Sequence, residues 1–456
     1  MNAKTEKFGV KNLILIGGVI FSMHFGGASM IWPMTWGQES GTSVLAAFIG
    51  IFITALLVPL LGYVALSRGK GSFYQVTERV SPRFATIFCG LTMLVLGPLF
   101  AIPRMSAAAW DAFVQISGFE TESLIPVLIF SIVYYLVVYW FIAQKSDTVD
   151  KMGKLLFPVL LIAVTGILIK GFLFPLSKPV AKVFSQPAFA YGFVEGYATL
   201  ELPCALIYAT IIISDLKNKK LSGKQMDKAL IKAGLIGIGM LTVTHFGHMI
   251  IGANTGELFA DLKFAALYAK VVVELWGTVG GVVFNIALLF AALTTAIGLA
   301  VATAEYFEKT SDGKLNYRKS AIAVLAISVL VSIMGLSNIV VFVTPLLDVI
   351  YPAAITLTLY YAFVPNLVEK TRWLGAMRAG VIGAFVWGVY EGIIEYMEMF
   401  HLNAGLLKSV HAYFPLSDYG LGWVLIVGIA SVGGYFFANN LRSQQEEEQV
   451  PMQRSA

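Results

Sequence analysis

Two apolar segments of the chain are interrupted by residues that favour unwound backbone and can bind charged groups. In the first, the run Gly26-Gly27-Ala28-Ser29 lies about fifteen residues into the segment, roughly 22 Å along a helix and near the middle of a bilayer. The second interruption combines helix-breaking and polar residues: Gly192, Glu195, Gly196, Thr199, Glu201 and Pro203. Glycine and proline weaken a helix interior, so both places predict broken helices.

A broken helix inside a membrane exposes groups that suit a small zwitterion. The N-terminal end of a half-helix attracts a carboxylate, while unwound carbonyls attract an ammonium group or sodium. An amino acid carries both charges. The two breaks are five helices apart, which is the arrangement of transporters built from two inverted five-helix repeats.

Adjacent hydroxyls in another apolar segment suggest an ion site. Thr294 and Thr295 lie about thirteen residues before the end of their helix, or roughly 20 Å, which is level with the first break. Two hydroxyls and nearby backbone carbonyls supply the hard oxygens that sodium prefers. A threonine in a membrane helix also bonds commonly to its own backbone, so that interpretation stays open.

Other kinds of chemistry find no support in the residues. There is no Gly-x-Ser-x-Gly or His-Glu-x-x-His motif and no pair of intramembrane aspartates, so the sequence predicts no catalytic residues and no enzyme. No phosphate-binding Walker pattern is present. Cys89 and Cys204 lie in apolar segments, and His245 and His248 lack a neighbouring carboxylate, so neither pair predicts a metal site. No cofactor is expected besides a coupling ion.

The elements that position these residues are membrane helices. Hydrophobic residues make up 57% of the 456 residues and charged residues 13%, with a mean hydropathy of +0.77. Apolar stretches of spanning length recur throughout, which predicts a single transmembrane domain over residues 1–456. The predicted spans are 12–36, 42–67, 84–117, 123–143, 152–176, 190–215, 227–254, 272–307, 320–336, 339–364, 373–397 and 421–441.

The basic residues predict an orientation. They follow the second, fourth, sixth and eighth spans, as Arg68, Lys70, Arg79, Arg83, Lys145, Lys151, Lys154, Lys217, Lys219, Lys220, Lys224, Lys309, Lys314, Arg318 and Lys319. Positively charged loops stay in the cytoplasm, so both termini are expected on the cytoplasmic side of an inner membrane. The net charge of +5 is thereby explained without a nucleic-acid partner.

Several segments resemble one transporter family, and in that family's order. Gly97-Pro98-Leu99-Phe100-Ala101-Ile102-Pro103-Arg104 is similar to the third-helix signature of the branched-chain amino acid carriers called the LIVCS family. The other matching segments are Gly192 to Tyr197 with Thr199, Leu293 to Gly298 with Ala304 to Phe307, and Gly335 to Ser337 with Pro345, Tyr351 and Pro352. The resemblance covers the whole chain.

This resemblance implies a fold and an activity. The family belongs to the amino acid, polyamine and organocation superfamily, which implies an all-α polytopic fold like that of the leucine transporter, with broken helices 1 and 6. The first repeat would cover about 12–176, the second about 190–364, and two extra helices about 373–441. The implied function is symport of leucine, isoleucine or valine with sodium or, in some members, protons.

The resemblance also implies a site. Sodium would be held by carbonyls of Met23, Gly26 and Ala291 and by the hydroxyls of Thr294 and Thr295. The substrate carboxylate would face the amides of Gly27, Ala28 and Ser29. Its amine would meet backbone of the run Phe193, Val194, Glu195 and Gly196.

Departures from the family pattern leave alternatives open. Met30 stands where the family commonly has asparagine, and Glu201 where it often has aspartate, so the substrate range is expected to extend toward methionine. Glu201 has three interpretations: a proton-coupling group, a partner of the substrate amine or a hydrogen-bond anchor for the broken helix. Arg104 either reaches toward the membrane surface or contacts substrate. The alternatives for the whole chain are a proton-coupled carrier of another small solute and a sensor that binds an amino acid without moving it.

Overall fold

The computed structural model describes residues 9–70, 72–120, 123–143, 148–311 and 314–453, and these residues form helices joined by short connections, with no strand among them. The α-helices are α1 (Val10–His24), α2 (Gly27–Ser40), α3 (Val44–Ile51), α4 (Val58–Gly69), α5 (Phe73–Glu78), α6 (Pro82–Leu94), α7 (Ala101–Ser117), α8 (Leu124–Ile142), α9 (Thr148–Leu173), α10 (Ala188–Glu195), α11 (Glu201–Asn218), α12 (Gly223–Ala253), α13 (Phe264–Thr310), α14 (Tyr317–Ser332), α15 (Leu336–Phe363), α16 (Thr371–Met399), α17 (Gly405–His411) and α18 (Gly422–Gln453).

Each of the twelve predicted spans falls on one helix or on consecutive helices. Within the described residues, seven helical stretches are long and apolar enough to cross a membrane, and an eighth is a pair bent by 43°. The other four predicted spans correspond to shorter helical segments: Val10–His24, Leu161–Leu173, Tyr317–Ser332 and Gly422–Ala438. The first of these is short because helix 1 is broken, and the third is short because α14 has only 16 residues.

Both predicted breaks are present. The first span, helix 1, consists of α1 and α2: it stops at His24 and restarts at Gly27, with Phe25 and Gly26 between the two halves. The sixth span, helix 6, consists of α10 and α11: it stops at Glu195, continues as a short 3-10 turn over Gly196–Thr199, and restarts at Glu201. Leu200 joins those two parts with a positive φ of 60°, a left-handed conformation that costs a branched residue about 1–2 kcal/mol.

The predicted eighth span is longer than expected and is kinked. The helix α13 starts at Phe264 rather than near residue 272, and Gly277 inside it has a φ of 69°. Only glycine adopts that conformation without strain, so the position divides α13 into a short leading segment and a long one. Thr294 and Thr295 lie on the long segment.

The chain forms two compact units, each with its own packing. The first consists of the described residues within Met1–Leu57, Met93–Cys204 and Ile231–Val343, and it contains both breaks and the two threonines. In this unit, α13 packs against α2, α7, α9 and α14, and α3 packs against α10. Glycines allow the close approaches: a Cβ on Gly37 would overlap the carbonyl of Met249, and one on Gly192 would overlap that of Ala47.

The second unit consists of the described residues within Val58–Thr92, Ala205–Leu230 and Thr344–Ala456. Its most extensive packing joins α16 to α18, where a Cβ on Gly375 would lie 2.6 Å from the carbonyl oxygen of Gly434. Small residues therefore bring α16 and α18 together, as is common in membrane bundles. Elsewhere in this unit, the Ser67 hydroxyl donates a hydrogen bond of 2.5 Å to Asp227.

Candidate functional site

The first break presents two helix ends of opposite polarity. The last carbonyls of α1, including that of Met23, lie at its negative end, and the first amides of α2 lie at a positive end. The Met30 amide donates to the Gly26 carbonyl at 3.1 Å, which is the first bond of α2. The amides of Gly27, Ala28 and Ser29 therefore precede any acceptor within their own helix, as the predicted carboxylate site requires.

The long segment of α13 approaches this break at Gly26. A Cβ on Gly26 would overlap the hydroxyl oxygen of Thr295, so only glycine fits there. Thr294 and Thr295 donate to the Ala291 carbonyl at 2.8 and 3.1 Å, so the backbone-bonded alternative describes their present state. A hydroxyl that donates still offers lone pairs to a cation, whereas the Ala291 carbonyl is already engaged by both threonines.

A methionine closes the space beside the predicted carboxylate site. A Cβ on Gly27 would lie 2.8 Å from Met105 Sδ and 3.8 Å from the Cα of Ala292. Helices α2, α7 and α13 therefore meet at Gly27, and a thioether borders the position where a substrate would bind. Ala28 and Ser29 are buried beside it.

At the second break, the stretch of backbone that remains open is different from the predicted one. Phe193, Val194 and Glu195 still belong to α10, and the carbonyl of Phe193 accepts a 2.8 Å hydrogen bond from Thr54. Gly196 packs so closely on Thr54 that a side chain there would overlap its hydroxyl. The unwound backbone lies three to four residues later than the segment predicted to hold the amine.

Arg104 holds that unwound backbone in place. Its guanidinium donates to the carbonyls of Ala198 at 2.5 Å and Thr199 at 3.2 Å, and it lies over the Phe100 ring at 4.4 Å. The side chain is only 3% exposed. Arg104 therefore contacts the break and does not reach toward the membrane surface, and its charge stabilises carbonyls that the helix leaves without amide partners.

Glu201 ties the two breaks together. Its carboxylate accepts a hydrogen bond from the Ser29 hydroxyl and lies in hydrogen-bond contact with Nδ1 of His24. His24 ends α1, Ser29 lies in the first turn of α2 and Glu201 begins α11. Of the three interpretations open for Glu201, the hydrogen-bond anchor describes these contacts directly.

A second polar network connects the end of α2 with α10 and with Lys263. Glu39 accepts hydrogen bonds from Tyr191 at 2.5 Å and Lys263 at 2.6 Å, and Trp36 donates to Glu195 at 3.1 Å. Glu39, Tyr191, Glu195 and Lys263 border an open cavity of about 520 Å³, which is also lined by Gln38, Lys182, Val183, Phe184, Ser185 and Ala260. The Glu195 side chain therefore faces this cavity.

The chain matches the profile of a known protein family over nearly its whole length. The family profile described as branched-chain amino acid transport protein matches residues 9–441. The chain belongs to this family. Its membership also makes it a multi-pass membrane transport protein and not an enzyme.

Named relatives of this branched-chain transport family match nearly the full chain. The branched-chain amino acid permease BraB of Bacillus subtilis is 29% identical over 93% of this chain and 95% of its own length. A putative branched-chain amino acid carrier protein of Staphylococcus haemolyticus is 29% identical over 94% and 97%, respectively.

Solved structures show the fold. MhsT in complex with L-phenylalanine superposes with a TM-score of 0.53 at 17% identity, over 93% of this chain and 98% of that one. The inward-facing conformation of Mhp1 superposes with a TM-score of 0.54 at 13% identity, over 90% and 93%. The chain thus has the leucine-transporter-like fold, with its two inverted repeats and broken helices 1 and 6.

Three side chains that organise the breaks were not predicted from the sequence. They are His24, Thr54 and Arg104, the last because its contact with the carbonyls of the second break was not expected. A weak signal existed for His24, because a histidine next to a predicted break inside an apolar segment is costly unless it has a partner. Thr54 gave none, since its acceptor is a backbone carbonyl 139 residues away.

Proposed function

We propose that this chain is a secondary active symporter that imports leucine, isoleucine, valine or related neutral apolar amino acids such as methionine. A sodium gradient drives the import across the cytoplasmic membrane by alternating access, and both termini are cytoplasmic. The observation that carries this proposal is the contact between Gly26 at the first break and Thr295 of α13. It brings backbone carbonyls and hydroxyl oxygens, which are the hard ligands of sodium, into one partly buried place.

The roles of the residues follow from that contact. Sodium is held by oxygens of Met23, Gly26, Thr294 and Thr295, and Ala291 joins them when the threonine hydroxyls release its carbonyl. The amides at the start of α2 take the substrate carboxylate, as the polarity of a helix N-terminus favours.

The amine lies toward the second break. The resemblance assigns it to the run from Phe193 to Gly196, and the Thr54 bond to the Phe193 carbonyl favours the later part of that run and the turn after it. The apolar side chain lies beside Met105, whose flexible thioether adapts to branched and unbranched groups.

Sodium binding favours transport by steadying a broken helix. A cation at the carbonyl end of α1 offsets the negative helix end and stabilises one arrangement of the break, which completes the amino acid site. Ion and substrate then strengthen each other's binding by the same factor. Coupling arises because the two sites share one unwound segment.

Uptake into proteoliposomes tests the proposal. Radiolabelled leucine is supplied with an inward sodium gradient, with an inward proton gradient at equal sodium, or with neither, and unlabelled isoleucine, valine, methionine and alanine compete. We expect accumulation above equilibrium only with the sodium gradient, blocked by the branched competitors and methionine. A sodium ionophore, which removes the gradient while leaving sodium present, abolishes accumulation.

Each alternative has its own outcome. Accumulation driven by protons alone retains the fold and removes the ion role from Thr294 and Thr295. Leucine binding without accumulation under either gradient indicates a sensor. Failure of leucine to bind or accumulate, when another solute does, overturns the assigned substrate class.

A further inference from the structure

The connection between α16 and α18, residues 400–421, presents a row of large apolar side chains on one side. Leu406 and Val410 lie on one face of α17, and Leu402 and Tyr413 continue the row before and after that helix. Leu406 is 80% exposed and Tyr413 is 87% exposed. Exposed apolar side chains in a continuous row form an interaction surface.

The opposite side of this connection is fixed against α16. The ring centroids of His411 and Phe414 lie 5.8 and 4.6 Å from that of Trp387, which belongs to α16. The Tyr390 hydroxyl, also from α16, donates to the Leu407 carbonyl. The connection therefore has one side packed on a helix and one open side, and the apolar row lies on the open side.

The contact with Trp387 determines the depth of the connection. Trp387 lies about twelve residues, or roughly 18 Å, before the end of α16 at Met399. The start of α18 is at the same level, because a Cβ on Gly422 would lie 2.6 Å from the Trp387 ring. The connection thus folds back along the last turns of α16.

Neighbouring side chains at that depth face lipid. Val386 and Ile393 of α16 and Val424 of α18 are exposed on apolar helices that cross the membrane. The apolar part of α18, Gly422–Ala438, measures about 25 Å at helical rise, less than the roughly 30 Å of a hydrocarbon core. The connection supplies the missing depth on the side of Trp387.

The backbone of the connection carries internal hydrogen bonds, as an apolar surrounding requires. The Ser417 hydroxyl donates to the carbonyl of His411 at 2.9 Å and to that of Phe414. The amide of Tyr413 donates to the Val410 carbonyl at 3.1 Å, and that of Phe414 donates to the His411 carbonyl at 3.1 Å. These bonds lower the cost of placing a non-helical segment next to lipid.

We propose that residues 400–421 are embedded in one leaflet of the bilayer, with Leu406 and Val410 in contact with acyl chains. Tyr413 suits the level of the headgroups, where tyrosine is enriched in membrane proteins. Lys408 is paired with Glu398 of α16, so it adds no net charge at this place. In the proposed orientation this leaflet is the outer one. The inference is independent of the transported substrate and of the coupling ion.

Spin labels on single cysteines test this placement. Full-length protein with both native cysteines replaced by alanine carries a nitroxide at Leu406→Cys or Val410→Cys and is reconstituted into liposomes. We expect both labels to collide more often with oxygen, which concentrates in lipid, than with a water-soluble nickel chelate. Ile429→Cys, at an exposed position of α18, is the control that faces lipid, and Ser185→Cys, in the exposed connection before α10, is the control that faces water.

The two controls define the outcomes. An oxygen-to-nickel collision ratio like that of Ile429→Cys supports the embedded connection, whereas a ratio like that of Ser185→Cys overturns it and leaves the proposed transport function standing. Low collision rates with both reagents, together with spin–spin broadening, indicate that a second copy of the chain covers the row, which also overturns the contact with lipid. Leu406 is so exposed that its replacement removes little packing, so this position decides alone if Val410→Cys does not fold.

Discussion

At the scale of single residues, the hydroxyl of Thr295 lies next to two backbone positions, Ala291 of its own helix and Gly26 at the first break. It now donates to the Ala291 carbonyl, and its oxygen faces Gly26 at the first break. A threonine that served only its own helix would tolerate loss of the hydroxyl, since such bonds contribute little to a membrane helix. A threonine whose hydroxyl binds a cation would not tolerate that loss, because the cation would lose a ligand.

Replacing Thr295 by alanine therefore tests the ion site. We expect Thr295→Ala to raise the sodium concentration for half-maximal uptake about tenfold, the effect of losing roughly 1.5 kcal/mol of contact to a charged group. Sodium dependence of leucine uptake at fixed leucine measures this, with the amount of protein in the membrane determined in parallel. Thr310→Ala is the matched control, because Thr310 also bonds to the carbonyl four residues earlier but is exposed at the end of α13. Equal sodium dependence in both variants would contradict the assignment.

At the scale of elements, the second break depends on a side chain from another helix. The unwound turn carries a leucine in a left-handed conformation and two carbonyls that α10 and α11 leave open. Arg104 of α7 binds both carbonyls. The break is therefore a property of three helices together rather than of its own sequence.

Replacing Arg104 by lysine tests this brace. Lysine keeps the charge but lacks the fork that reaches two carbonyls, so we expect Arg104→Lys to lower the free energy of unfolding by about 1.5–3 kcal/mol and to reduce uptake. Thermal unfolding in detergent measures the first effect. Arg378→Lys is the control, because Arg378 also donates to a backbone carbonyl, that of Arg79, from an exposed position. A melting temperature lowered no more by Arg104→Lys than by this control would contradict the brace.

The breaks themselves were predictable from sequence, because glycine pairs and proline act through local backbone preferences. The twelve spans followed from hydropathy in the same way. Their partners were less predictable: the distances between His24 and Glu201, or Thr54 and Phe193, depend on how helices far apart in the chain pack. Hydropathy places the start of α13 too late because it does not register Gly277, whose positive φ lets a second helical segment precede the span.

At the scale of the whole molecule, the orientation of the chain in its membrane determines which end of each break faces the medium. The predicted orientation depends on the basic loops after the second, fourth, sixth and eighth spans. With both termini in the cytoplasm, the connection between α9 and α10 faces outside and the connection between α11 and α12 faces inside. In that orientation the cavity beside Glu39, which is lined by part of the connection between α9 and α10, lies on the outer side of the membrane.

Labelling of single cysteines tests this orientation. The two native cysteines, Cys89 and Cys204, are both buried, and replacing each by alanine gives a background without any thiol. Ser185→Cys, in the exposed connection before α10, should react with a membrane-impermeant maleimide in intact cells. Ser222→Cys, in the exposed connection before α12, should react only after the cells are permeabilised. The reverse pattern would invert the topology and would place the cavity beside Glu39 on the cytoplasmic side.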